Sequence, residues 1–77
     1  MNKQRRKWLE DVIDSLEKAK EEIENISEEE QEAFDNLPEG IQYSERGETM
    51  SDNVDELEDA VSGIEDIIGI LQEILEK

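Results

Sequence analysis

The sequence predicts an all-α fold, an antiparallel helical hairpin of the coiled-coil kind. Apolar residues recur at heptad spacing in both halves of the 77-residue chain, a pattern typical of helices that pack lengthwise. The single proline, Pro38, and the nearby Gly40 interrupt this pattern close to the middle. Two helices of similar length joined by a short connection pack side by side in opposite directions. We therefore expect one helical-hairpin domain over residues 1–77.

The first helix is predicted at about residues 4–36. Its first apolar column, with a seven-residue period, consists of Leu9, Leu16, Ile23 and Leu37. The second column, three positions further on, consists of Val12, Ala19, Ile26 and Ala33. Glu30 stands in the first column, where an apolar residue would be expected. Because Pro38 disfavours a helical conformation in the residue before it, the helix should end near Asn36.

The connection between the helices is expected in the stretch LPEGIQYSERGE, residues 37–48. Gly40 should adopt a positive φ and complete the chain reversal. Ser44 is the expected N-cap of the second helix, followed by acidic residues in the first turn. Tyr43 is in register with the apolar columns of the second helix, so its ring should close the loop end of the core.

Three polar residues of this stretch, Gln42, Arg46 and Glu48, have no evident role in folding. Arg46 is expected to pair with Asp35 or Glu39, and the alternative is direct contact with a binding partner. The hairpin tip is therefore a candidate binding surface, which consists of Pro38, Gly40, Gln42, Tyr43, Arg46 and Glu48.

The second helix, predicted at about residues 44–76, carries more apolar surface than one partner helix requires. Its two apolar columns consist of Met50, Leu57, Ile64 and Leu71, and of Val54, Val61, Ile68 and Leu75. A second stripe beside them, with a counterpart in the first helix, consists of Ala60, Gly63, Ile67, Ile70, Ile74, Trp8 and Ile13. We expect an oligomer interface here, either a homodimer that forms a four-helix bundle or a contact with another protein. The alternative is that Ile67 and Ile74 widen the intramolecular core.

The predicted helix ends carry charges of opposite sign. The first helix begins with Lys3, Arg5, Arg6 and Lys7, and the second ends with Glu73 and Glu76. Each group has the unfavourable sign for its own helix dipole. Because antiparallel packing brings the two ends together, we expect the two groups to neutralise each other.

Composition excludes several classes of function. With a net charge of −16 and a pI of about 4.1, the chain should avoid nucleic acid and anionic membranes and be attracted to basic protein surfaces. It has no cysteine and no histidine, which removes thiolate chemistry, the usual proton shuttle and the commonest metal ligand. No apolar run approaches the roughly 20 residues of a membrane span. We expect a cytoplasmic, non-enzymatic protein without a cofactor or metal.

The central phrase FDNLPEGIQYSERGE, set between two acidic amphipathic helices, resembles a group of short uncharacterised proteins from phages, prophages and other mobile elements of Gram-positive bacteria. The resemblance covers most of the chain in layout. It implies a mobile-element context and supplies no catalytic residues.

Two functions fit these observations. The first is an inhibitor that mimics the charge of nucleic acid and occupies the basic groove of a host protein. Its partner-binding residues would be Glu10, Asp14, Glu17, Glu21, Glu24, Glu28, Asp52, Asp55, Glu58, Asp59, Glu65 and Asp66. The second is a structural or adaptor coiled coil that works through the apolar second stripe, with the charge serving solubility.

Overall fold

The computed structural model describes residues 1–77 and consists of two long helices joined by a short one. Helix α1 spans Lys3–Asp35, α2 spans Glu39–Gln42 and α3 spans Glu45–Glu76. Helices α1 and α3 pack against each other in a rod of 58 × 15 × 13 Å. The radius of gyration is 17.5 Å, whereas a compact domain of this length would have about 11.5 Å. The predicted all-α hairpin is confirmed, with helix bounds within one residue of those expected.

Three contacts between α1 and α3 define their antiparallel register. At the open end of the hairpin, the Arg6 guanidinium donates a hydrogen bond to the carbonyl oxygen of Leu75. Near the middle, Lys20 forms an ion pair with Glu65, with an N–O distance of 3.8 Å. Towards the tip, the amide of Asn53 donates to the carboxylate of Glu30 at 2.9 Å. Residues farther along α1 therefore meet residues nearer the start of α3.

Polar side chains cap the starts of both long helices. The side-chain oxygen of Asn2 accepts a hydrogen bond from the backbone N–H of Arg5 at 2.8 Å. Ser44, the predicted N-cap of α3, accepts one from the N–H of Gly47 at 3.5 Å. Each cap satisfies a backbone donor that the helix itself leaves without a partner.

The apolar columns predicted for α3 are the ones that face α1. Val54 and Ile68 are each 5% exposed, and the other residues of the two columns are half-buried. Gly47 continues the column of Val54 towards the tip and is also buried. The alternating spacing of three and four residues keeps one face of the helix against the partner throughout its length.

In α1 the structure corrects one of the two predicted columns. The column of Leu9 and Leu16 faces α3, but its companion lies four residues further on rather than three. This companion column consists of Ile13, Lys20, Ser27 and Phe34. The predicted companions Val12 and Ile26 are 39% and 52% exposed. In a heptad, a step of three residues alternates with a step of four, and either order averages 3.5 residues per step. The periodicity of the sequence therefore could not determine which way α1 is rotated about its axis.

The chain reverses through α2, and two predictions for the tip are wrong. No glycine has a positive φ, because Pro38 begins a single helical turn that takes Gly40 in an ordinary helical conformation. Tyr43 is 78% exposed and does not close the core. The helical turn shortens the path between α1 and α3, which leaves the tyrosine ring outside.

Gln42 and Arg46 also depart from expectation. The side-chain amide of Gln42 donates to the carbonyl oxygens of Phe34 and Leu37, each at 3.2 Å. It thereby satisfies carbonyl groups at the end of α1, so this residue does have a role in folding. Arg46 is exposed and forms no ion pair, which contradicts the expected pairing with Asp35 or Glu39.

The closest packing in the tip involves Gly47. A Cβ atom at this position would lie 2.6 Å from the carbonyl oxygen of Ile41 and closer still to that of Gln42. These are backbone atoms that cannot move aside cheaply. Gly47 therefore permits α2 to pack directly on the first turn of α3.

We predict that Gly47→Ala destabilises the hairpin by about 3 kcal/mol, because the added methyl group overlaps backbone atoms of α2. Gly40→Ala is the matched control, since a methyl group there would have no neighbour within 4 Å, and it should stabilise by about 0.5 kcal/mol. Urea unfolding followed by circular dichroism measures both. Equal effects of the two substitutions would contradict the close packing at Gly47.

Candidate functional site

The α1–α3 interface divides the remaining surface into two sides, each marked by a groove between the helices. One groove is lined by Glu24, Ser27, Glu28, Glu58, Val61 and Ser62. The other is lined by Ile26, Glu29, Glu30, Asn53, Glu56 and Leu57. Since residues seven apart stay on nearly the same side of a helix in such a pair, these grooves identify the columns on each side.

The first groove belongs to what we call the acidic side. Extending its columns by sevens gives Glu10, Asp14, Glu17, Glu21, Glu24 and Glu28 on α1, with Asp55, Glu58 and Glu65 on α3. All are exposed except Glu24, which is half-buried. The structure thus brings together all the acidic residues predicted for partner binding on α1 and three of those predicted on α3.

Lysine side chains neutralise only part of the acidic side. Lys20 reaches from the interface to Glu65. Lys7 pairs with Asp11 at 3.1 Å near the start of α1, and this hydrogen bond and the carboxylate charge raise the pKa of the Lys7 amine. Lys18 and Lys20 line the same surface as Asp14, Glu17, Glu21 and Glu24, but neither lysine forms an ion pair with these four carboxylates.

The remaining predicted acidic residues lie elsewhere. Asp52, Asp59 and Asp66 are exposed and fall between the columns of the two sides, on the edge of α3 that points away from α1. They do not join the acidic side. Their seven-residue spacing is visible in the sequence, but their separation from the others depends on the rotation of the helices.

The opposite surface is what we call the apolar side. Towards the open end its columns carry Trp8, Val12 and Ala19 on α1, with Ala60, Gly63, Ile67, Ile70 and Ile74 on α3. Towards the tip the same columns carry Ile26 together with Glu22, Glu29, Asn53 and Glu56. Trp8 is 69% and Ile70 58% exposed. The predicted second stripe of α3 is therefore largely uncovered, although Ile74 is half-buried.

The α1 members of the apolar side differ from those predicted. Ile13 was expected in the oligomer interface, but it is 7% exposed and packs in the intramolecular core. Val12 and Ile26 take the exposed positions instead, as a direct consequence of the rotation of α1. Val12 and Ile26 do belong to an apolar column of the sequence, but that pattern predicted them in the core.

At the open end, the expected ion pairs between the basic start of α1 and Glu73 or Glu76 do not form. Arg6 binds the carbonyl oxygen of Leu75 instead. The cation still lies at the end of α3 where the helix dipole is negative. The open end is therefore held by a hydrogen bond to the backbone rather than by carboxylates.

The tip residues Pro38, Gly40, Tyr43, Arg46 and Glu48 are all exposed. Among them Tyr43 is the large apolar group, and it has no packing partner in the core.

The surface offers few features for chemistry. No group of three or more carboxylates converges closely enough to hold a metal ion. Neither long helix contains a stretch long and apolar enough to cross a membrane. Comparisons of the chain with protein-family models, curated proteins and solved structures gave no match. What the fold provides is an acidic side along the hairpin and, on the other side, an apolar surface at the open end.

We predict that added salt raises the thermal midpoint of unfolding, because 24 acidic residues against 8 basic ones repel one another along two adjacent helices. The midpoint should rise on going from about 10 mM to about 200 mM NaCl. Circular dichroism at 222 nm follows the transition, and sorbitol at matched osmolality is the uncharged control. A midpoint that falls with NaCl would show that repulsion does not limit stability.

Proposed function

We propose that the protein is a non-enzymatic interaction protein whose acidic side occupies a basic groove of another protein, in place of nucleic acid. The observation that supports this most is the segregation of carboxylates: a nearly continuous column from Glu10 to Glu28 faces the same way as Asp55, Glu58 and Glu65. Solubility requires charge on exposed faces, but it does not require that the acidic side lack large apolar groups while the open end of the other side carries them.

The charge density of the acidic side is of the right order for this role. Glu10 and Glu28 are about 27 Å apart along α1. Over that length the nine carboxylates of the two helices, less the charges of Lys18 and Lys20, amount to about one net charge per 4 Å, against one per roughly 1.7 Å in duplex DNA. The carboxylates are also held at fixed spacing by a helix that is packed along its length, as phosphates are held by a duplex.

The sequence resemblance restricts the class of protein to which the proposed partner belongs. The resemblance of FDNLPEGIQYSERGE to mobile-element proteins favours a host protein as the target. A protein that binds DNA or RNA through a positively charged groove presents the complementary surface. We propose such a groove as the binding site for the acidic side.

A second candidate function uses the apolar side. Exposed Trp8, Ile67 and Ile70 would suit a structural or adaptor coiled coil that holds a partner helix by apolar contact. In this case the acidic side would serve only to keep the complex soluble.

Neutralising substitutions on the acidic side test the first proposal. In the variant Glu17→Gln, Glu21→Gln, Glu24→Gln, Glu28→Gln, capture of partners from a Gram-positive lysate should fall at least about tenfold. Glutamine keeps the length and helix propensity of glutamate. Captured wild-type partners should be released by duplex DNA or by about 0.5 M NaCl, because the attraction is ionic.

The matched control changes the net charge equally on the outer edge of α3: Asp52→Asn, Asp59→Asn, Asp66→Asn, Glu73→Gln. This variant should retain its partners. Partners that remain on the acidic-side variant, or that resist both DNA and about 1 M NaCl, would instead support the adaptor function.

A further inference from the structure

The hairpin on its own leaves an unusual amount of surface exposed. Its accessible area is 5867 Å², whereas a compact monomer of 8.9 kDa would expose about 4,800 Å². No side chain in the chain is less than 2% exposed. Two helices can bury only one strip of each other, so the core is as large as this architecture allows.

Much of the apolar part of that exposure lies on the apolar side, at the open end. From the register of the hairpin, Trp8 lies at the level of Ile74, Val12 at that of Ile70, and Ala19 at that of Gly63. At the open end, large apolar side chains of the two helices therefore lie at the same level. Closer to the middle of the hairpin, the small residues Ala19 and Gly63 lie at the same level.

We propose that the apolar side seats a second copy of this chain, in register, to form a four-helix bundle with both tips at the same end. A two-fold axis parallel to the helices places α1 of each copy on α3 of the other. Trp8 then packs against Ile74 of the second copy and Val12 against Ile70 of the second copy, while Ala19 meets Gly63 of the second copy.

This arrangement packs apolar groups on apolar groups at the open end, and it overlaps the two rods along their whole length. Towards the tips the same register brings Ile26 level with Glu56 of the second copy, so the open end drives the contact. An axis perpendicular to the helices would place α3 on α3. Centred on Ile67, it would set Ile74 against Ala60 of the second copy, but it would leave about 20 Å of each tip without a partner.

The face, including the glutamates towards its tip, has about the area of a standard protein interface. A side of the rod measures 58 Å by 15 Å, or about 900 Å² per copy, close to the roughly 800 Å² per partner of a standard protein interface.

The charges also favour this face over the other. Stacking on the apolar side leaves the two acidic sides on opposite outer faces of the bundle, so that their carboxylates do not oppose each other. Arg5 lines a groove with Trp8 and Val12 on the apolar side. In the bundle it lies beside the C-terminal end of α3 of the second copy, where the backbone carbonyls carry partial negative charge.

The dimer is tested by mass in solution. Sedimentation equilibrium at about 50 µM should give twice the 8.9 kDa of one chain, and Ile70→Lys should weaken dimerisation by about 100-fold. The new cation lowers the negative charge of the chain, so repulsion cannot explain the loss. Gln72→Lys, on the acidic side, makes a comparable change in charge and should leave the dimer intact. Because Ile70 is exposed in the hairpin, circular dichroism should still show a helical Ile70→Lys chain.

The register is tested by disulfide cross-linking. The chain has no cysteine of its own, so an introduced cysteine can pair only with another introduced cysteine. A mixture of Ala19→Cys and Gly63→Cys chains should give the mixed disulfide in preference to either symmetric one. A monomeric wild type, equal weakening by both lysine variants, or preferential Ala19→Cys homodimers would each overturn the proposed bundle. Because it uses the apolar side only, its failure would leave the proposed function of the acidic side untouched.

Discussion

The single strip of contact between α1 and α3 governs the rest of the molecule. A helix in a two-helix hairpin has one partner, and it can bury only the columns that face it. In this chain those columns include Ile13, Val54 and Ile68, with Ser27 buried among them. Everything that lies outside the strip is exposed, whatever its chemistry. The rotation of each helix therefore decides which residues form the surface.

That rotation explains why the surface has two characters. Once Ile13 and Phe34 face α3, the column of Val12 and Ile26 must turn to one side and the column of glutamates to the other. The same rotation on α3 sets Ile67 and Ile70 opposite Glu58 and Glu65 across the width of the hairpin. An acidic inhibitor and an apolar coiled coil are competing interpretations of the sequence. Because the two surfaces lie on opposite sides of the hairpin, the proposed dimer and the proposed binding to a basic groove do not exclude each other.

Much of the architecture could be predicted from the sequence because it depends on local rules. Heptad spacing, the helix break at Pro38 and the cap at Ser44 each act within a few residues, and the helix bounds followed from them. The columns of α3 were also predictable, since only one pair of columns was apolar throughout and continued back to Gly47.

The features that were missed depend on contacts between segments. Helix α1 has apolar residues at both possible companion positions, so only packing against α3 selects Ile13 over Val12. The amide of Gln42 reaches back eight residues to Phe34, and Gly47 meets the backbone of α2. Tyr43 follows the heptad numbering but is displaced by the helical turn before it. Neither periodicity nor propensity contains this information.

The most direct test of the contact strip between α1 and α3 compares Ile26 and Ser27. Judged by polarity alone, the isoleucine would be expected in the core and the serine at the surface. Ile26 is 52% exposed and Ser27 is 6% exposed. Ile26→Asp and Ser27→Asp add the same charge one residue apart on α1. Thermal unfolding followed by circular dichroism should show that Ile26→Asp leaves a folded hairpin. Ser27→Asp should cost about 3 kcal/mol or more, because it buries a carboxylate without a partner. If replacing the isoleucine unfolds the chain and replacing the serine does not, α1 is rotated the other way and both surfaces are wrongly assigned.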